Sequence, residues 1–78
     1  MTYKALPGNW TQGTTTDGHT FYVKHYDNGS PFGIDEGRVS KLEIRKDGRI
    51  VTNYDRGWDI EPADATKAAY TEILAAFN

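Results

Sequence analysis

Two Asp-Gly pairs, Asp17-Gly18 and Asp47-Gly48, constrain this 78-residue chain more than anything else in it. Between alternating strands Asp-Gly marks a hairpin, because glycine accepts the positive φ that the turn demands. The flanks suit strands: Thr20-Phe21-Tyr22-Val23 and Arg49-Ile50-Val51-Thr52 are dense in β-branched and aromatic residues. Two hairpins are therefore expected, one from Trp10 to Tyr26 and one from Arg38 to Tyr54. The two segments share turn chemistry but little else, so they are not a duplication.

Turn length decides which side chains share a face. A two-residue turn at Asp47-Gly48 pairs Ile44 with Val51 and Arg45 with Ile50. A three-residue loop, with Gly48 left-handed, pairs Ile44 with Ile50 and Leu42 with Thr52. The second register gathers Leu42, Ile44 and Ile50 on one face and Lys41, Glu43 and Arg45 on the other. It sets Arg45 opposite Arg49, yet it is preferred because one buried face outweighs one exposed like-charge pair. The same loop in the first hairpin sets Gly13 opposite Phe21, whose ring can cover the bare backbone. The second face is then expected to carry Phe21, Val23, Val39 and Val51 beside its charges. Either the N-terminal arm (Tyr3, Leu6, Trp10) or another molecule caps it.

The C-terminal stretch reads as a helix. Pro62 suits its first position and Asp64 places negative charge in its first turn. Thr66, Tyr70, Ile73, Leu74 and Phe77 fall on one stripe, which must dock on the sheet because so short a helix is marginal alone. Leu42, Ile44 and Ile50 are its simplest seat. The expected fold is α+β: a four-stranded antiparallel sheet of two β-hairpins with one C-terminal helix packed on one face (ββββα). One domain spans 1–78, with an arm at 1–9, the sheet at 10–57 and the helix at 61–77.

Composition narrows the function classes. The chain is long enough for one domain with a thin core, and it has no cysteine for a disulfide frame or thiolate metal site. A net charge of −2 and a pI near 5.5 disfavour a generic nucleic-acid binder. No apolar run approaches the ~20 residues that span a bilayer, and the N-terminus lacks a signal-peptide stretch. A cytoplasmic chain without membrane contact is expected.

Catalytic patterns are missing. His19 and His25 match no metal-ligand spacing, Ser30 and Ser40 sit in no nucleophile elbow, and the glycines form no phosphate loop. No catalytic, cofactor or metal residue is assigned, and no enzyme is expected. The most unusual stretch is Asn53-Tyr54-Asp55-Arg56-Gly57-Trp58-Asp59, where strand gives way to helix. Trp and Arg together are what binding hot spots favour. The loop before the third strand ends near it, since the start of one antiparallel strand lies beside the end of its neighbour. The candidate partner-binding residues are Phe32, Ile34, Asp35, Tyr54, Arg56 and Trp58. Trp58 is either a binding residue or a plug in the core's edge; exposure separates the two.

The segments Val23-Lys24-His25-Tyr26, Gly33 to Leu42 and Asn53 to Pro62 carry a resemblance to a small family of uncharacterised proteins from Firmicutes and their phages, a domain of unknown function. The resemblance implies a stand-alone bacterial or prophage protein, and implies no activity, cofactor or substrate. By topology alone, strands followed by a helix are also similar to phage integrase domains that lay a three-stranded sheet in the DNA major groove. From Arg38 to Arg56 there are six Lys or Arg against Glu43, Asp47 and Asp55, a thin footprint for phosphate binding. The leading expectation is a small non-catalytic protein-interaction module that binds a partner protein or its own copy. The alternative is a nucleic-acid-binding domain using the sheet face.

Overall fold

Order in the chain and order in the sheet coincide. A computed structural model describes all residues from Met1 to Asn78. It forms a six-stranded antiparallel meander of β1 (Thr2–Leu6), β2 (Trp10–Thr14), β3 (Thr20–His25), β4 (Val39–Lys46), β5 (Arg49–Asp55) and β6 (Trp58–Ile60). A 3₁₀ turn at Ile34–Glu36 interrupts the long loop before β4, and another at Asp64–Thr66 leads into the single helix α1 (Lys67–Phe77). No helix is long and apolar enough to cross a membrane.

The expected four-stranded sheet is wrong at both ends. Residues 1–9 are not an arm that caps a face: β1 pairs along its length with β2. The turn between them places Gly8 at φ 75° and Asn9 at φ 67°, a hairpin closed without Asp-Gly. At the other end Arg56, at φ 60°, turns the chain so that β6 returns against β5. The helix is also shorter than 61–77, because Ala63 stays extended, a 3₁₀ turn follows at Asp64–Thr66 and the α-helix proper begins at Lys67.

The two Asp-Gly turns differ. In the first, the Thr15 amide donates to the His19 carbonyl at 2.8 Å and Gly18 takes φ 87°. This is the three-residue loop, and Gly13 lies opposite Phe21 as expected. A Cβ at Gly13 would meet Phe21 Cζ at 2.7 Å, so the ring covers this backbone. The Asp17 carboxylate accepts from Thr15 Oγ1 at 2.7 Å and contacts His19 Nδ1 at 2.8 Å. These two contacts, Thr15 first, hold its pKa at about 2 instead of 3.8. A folded pKa below the unfolded one adds stability that is complete above 3.8 and lost as pH falls toward 2. Acid unfolding across that window should therefore be shallower in Asp17→Asn than in the parent. Equal slopes in circular-dichroism titrations would refute the turn's role.

The second turn is the two-residue form, with Asp47 at φ 52° and Gly48 at φ 79°. Lys46 faces Arg49 and Arg45 faces Ile50. A bulge then shifts the register, so that Ile44 faces Thr52 and Leu42 faces Tyr54. The extra residue at Val51 puts Thr52 and Tyr54 into the core and leaves Ile50 42% exposed, which corrects the expected seat of the helix.

The second face is corrected as well. Phe21 faces Ile44 and Val23 faces Leu42, so all four point toward α1. Phe21, Val23, Val39, Leu42 and Ile44 form one core with Ile34, Ile73 and Phe77, and half-buried Val51 packs against it. The sequence places Ile73 and Phe77 in that core, and both are buried. The Phe77 ring meets Tyr3 edge-on at 5.2 Å and Phe21 at 6.0 Å, which fastens β1 to the helix. The sheet thus has one apolar face and one open face.

Candidate functional site

Strand register dictates what the open face presents, since alternate residues point away from α1. One row across the sheet reads Leu6, Trp10, Lys24, Lys41 and Asp55. The next reads Lys4, Gln12, Tyr22, Glu43 and Asn53. The second row continues to Ile60 of β6, so Leu6 and Ile60 are the aliphatic side chains of these rows, at the two edges. Lys41 leans on Asp55 at 3.6 Å and Arg45 on Glu43 at 2.7 Å. Lys24 has no carboxylate within ion-pair distance. Its ammonium stands 5.9 Å from the centroids of both Trp10 and Tyr26.

The loop between β3 and β4 adds to this end of the face. Gly33 leaves space that the backbone of Gly37 occupies, and Gly37 leaves space for the Asn78 side chain. Asn78 then ties the loop to the helix end: its Nδ2 donates to the Ile34 carbonyl at 3.1 Å, and its Oδ1 accepts from the Val39 amide at 2.9 Å. Asp35 and Glu36 take left-handed conformations at φ 51° and 57°. Such conformations cost on the order of 1–3 kcal/mol each and persist only where surroundings enforce them. Tyr54, buried beneath, donates its hydroxyl to the Phe32 carbonyl at 2.8 Å. Phe32 is thereby held outward, and Arg56 stacks on its ring at 4.9 Å. Between them lies a cleft of about 330 Å³, lined by Lys24, Tyr26, Ser30, Phe32, Ser40, Lys41 and Arg56. No carboxylate lines it. A hollow of about 420 Å³ lies further along the same face beside Gln12, Thr20, Tyr22 and Arg45.

The structure divides the six candidate residues expected from sequence. Phe32 and Arg56 meet, with Tyr54 as their support. Ile34 is 1% exposed and belongs to the core, so it is corrected to a packing residue. Asp35 lies exposed on the loop's outer side. Trp58 is 40% exposed, edge-on to Tyr54 at 5.0 Å, and opens on a separate groove with Tyr70, Glu61 and Pro62. It is a partly open residue and not a hidden plug. Burial, with Asp35's charge adding, raises the Tyr70 phenol above its usual range. Sequence reading missed Lys24, Tyr26 and Lys41 as site residues. A signal for two of them is visible in the Tyr22-x-Lys24-x-Tyr26 alternation, which puts Tyr22 and Lys24 on one side of β3 and brings Tyr26, just past its end, within 5.9 Å of the Lys24 ammonium.

Both histidines have structural partners. His19 is buried against Asp17. His25 lies 3.2 Å from Thr11 Oγ1 and 5.0 Å from the Phe77 ring, and burial lowers its pKa. No three His, Asp or Glu side chains gather in a way that would hold a metal ion.

Meander, single helix and open cationic face define a small α+β domain. The chain belongs to the family described as Domain of unknown function (DUF7678), which matches residues 9–78. The match takes in β2 to β6 and α1, and leaves β1 outside. No curated protein and no solved structure matches the chain.

Proposed function

We propose that this chain is a non-catalytic binding module whose open sheet face takes single-stranded nucleic acid. The observation that carries the reading is Lys24, unpaired, between the Trp10 and Tyr26 rings in a row that continues to Lys41. Flat rings interleaved with cations suit exposed bases and phosphates, and stacking is worth about 1–3 kcal/mol per base. The net charge of −2 does not oppose this, because the open face has a local excess of cations. It carries Lys4, Lys24, Lys41 and Arg45 against Glu43 and Asp55, whereas Glu61, Asp64 and Glu72 with only Lys67 occupy the helical segment. The leading expectation from sequence, a protein partner, relied in part on a mixed apolar and charged second face, and the apolar Phe21, Val23 and Val39 counted toward it are in the core instead. The setting that goes with this reading is the cytoplasm of a bacterium, with the chain of bacterial or prophage origin.

Anisotropy of a labelled oligothymidylate should rise with added protein and fall back between about 50 and 200 mM salt. Lys24→Gln should flatten the log–log salt slope by about 0.7. Single strand should be preferred to duplex, whose bases cannot stack on protein rings. No binding at roughly 100 µM protein, the weak end of non-specific affinity, would end this reading.

Trp58 favours a second reading, self-association. Glu61 beside it and Asp35 near Tyr70 complement the cations of another copy's open face. Sedimentation equilibrium should then show association that Trp58→Ser abolishes; a monomer at all concentrations excludes it.

A further inference from the structure

We infer that the cleft between Tyr26 and Phe32 is a subsite for one nucleotide unit, its phosphate against Lys24, Lys41 and Arg56 and its base against the rings. The inference rests on the open-face reading but assigns a discrete pocket within it. The cleft, at about 330 Å³, is at the lower end of volumes that hold small ligands. No carboxylate lines it; Lys41 is paired with Asp55 beside it, whereas neither Lys24 nor Arg56 has any ion-pair partner. The charges of Lys24 and Arg56 remain uncompensated until an anion arrives.

The aromatic part is what separates a nucleotide from a bare anion. Phe32 is 54% exposed although it is among the most apolar side chains in the loop. It is held there by its own carbonyl's bond to Tyr54 and by the Arg56 guanidinium on its ring. Arg56 takes φ 60°, an uncommon conformation for a long side chain, and the turn into β6 enforces it. A stacked guanidinium keeps its in-plane N–H donors free for a phosphate, which it grips in a fork. Ser30 and Ser40 also line the cleft; Ser30 Oγ accepts from the Phe32 amide at 3.2 Å and Ser40 Oγ donates to the Lys24 carbonyl at 3.5 Å.

Competition against the labelled oligothymidylate tests this. Thymidine monophosphate should displace it at far lower concentration than thymidine or inorganic phosphate alone, because only the nucleotide supplies both parts. Phe32→Ala should weaken the nucleotide about fivefold or more, the lower end of a lost stack. Arg56→Gln should weaken nucleotide and phosphate together. Both residues are exposed, so neither variant threatens the fold. If the strand binds but the monophosphate never competes, the subsite fails while the open-face reading stands. If the strand does not bind but direct titration shows the monophosphate binding with loss in Phe32→Ala, the subsite stands and the strand reading fails. If phosphate or a glutamate-rich peptide competes as well as the monophosphate, the cleft is an unselective anion patch and the proposal is overturned.

Discussion

Replacing Ile73 with alanine is expected to remove about 2–5 kcal/mol of stability, visible as a lower urea midpoint at unchanged slope. Ile73 is fully buried on the one helix that covers the apolar face. Its methyls pack into a core drawn from β3, β4 and β5, whose backbones are fastened by ladder hydrogen bonds and cannot close over a void. Partial relaxation is what separates a cheap truncation from a costly one, and this sheet allows little. A domain of this size has only about 5 kcal/mol in hand, so much of the variant population would be unfolded. A change under half a kcal/mol would mean that α1 does not anchor the core. The loss should also be global, because Phe77 on the same helix holds Tyr3 of β1.

What was legible in the sequence was local. Asp17-Gly18 and Asp47-Gly48 marked two hairpins, and the spacing of Ile73 and Phe77 marked the buried side of α1, because turns and helical stripes depend on near neighbours. The position of Gly13 opposite Phe21 followed from one turn length. The second hairpin defeated the same logic, since a bulge at Val51 reconciles a two-residue turn with a single apolar face. Nothing in the composition of Arg49 to Thr52 announces an extra residue. β1 and β6 were hidden for another reason: one is closed by Pro7-Gly8-Asn9 and the other spans three residues from Trp58 to Ile60, too short for alternation to register.

The site was legible in part. Antiparallel neighbours brought the loop to the β5 end, and Phe32, Tyr54 and Arg56 do converge there. Ile34 was misjudged because its burial depends on the Asn78 side chain, forty-four positions away, which binds its carbonyl. Lys24 and Tyr26 were overlooked because the face they occupy depends on the β3–β4 pairing, which a long loop leaves undetermined. Net charge misled in the same way, since a sum over the chain conceals the local excess of Lys4, Lys24, Lys41 and Arg45 over Glu43 and Asp55 on the open face.

Gly33→Ala should be about as damaging as the loss of Ile73's side chain, and it should act on site and stability together. Gly33 has ordinary extended angles, φ −78° and ψ 159°, so it is glycine for want of space. A Cβ there would overlap the Gly37 carbonyl oxygen and come within 2.9 Å of Gly37 C and 3.2 Å of the Val39 oxygen. These are backbone atoms, and no rotamer change can clear them. The loop must open, and overpacking of this sort costs about 1–3 kcal/mol or more. Opening carries the Phe32 carbonyl away from Tyr54, whose hydroxyl is then left without its acceptor beneath the loop, at roughly 1–3 kcal/mol further. Gly57→Ala is the matched control, since nothing lies within 4 Å of a Cβ there; it should shift the urea midpoint by less than about half a kcal/mol. Under conditions where Gly33→Ala remains folded, it should lose thymidine monophosphate as Phe32→Ala does, while Gly57→Ala keeps it. If Gly33→Ala matches the parent in both urea midpoint and nucleotide competition, then the loop is not the rigid carrier of Phe32, and the ring's outward placement must come from Arg56 alone.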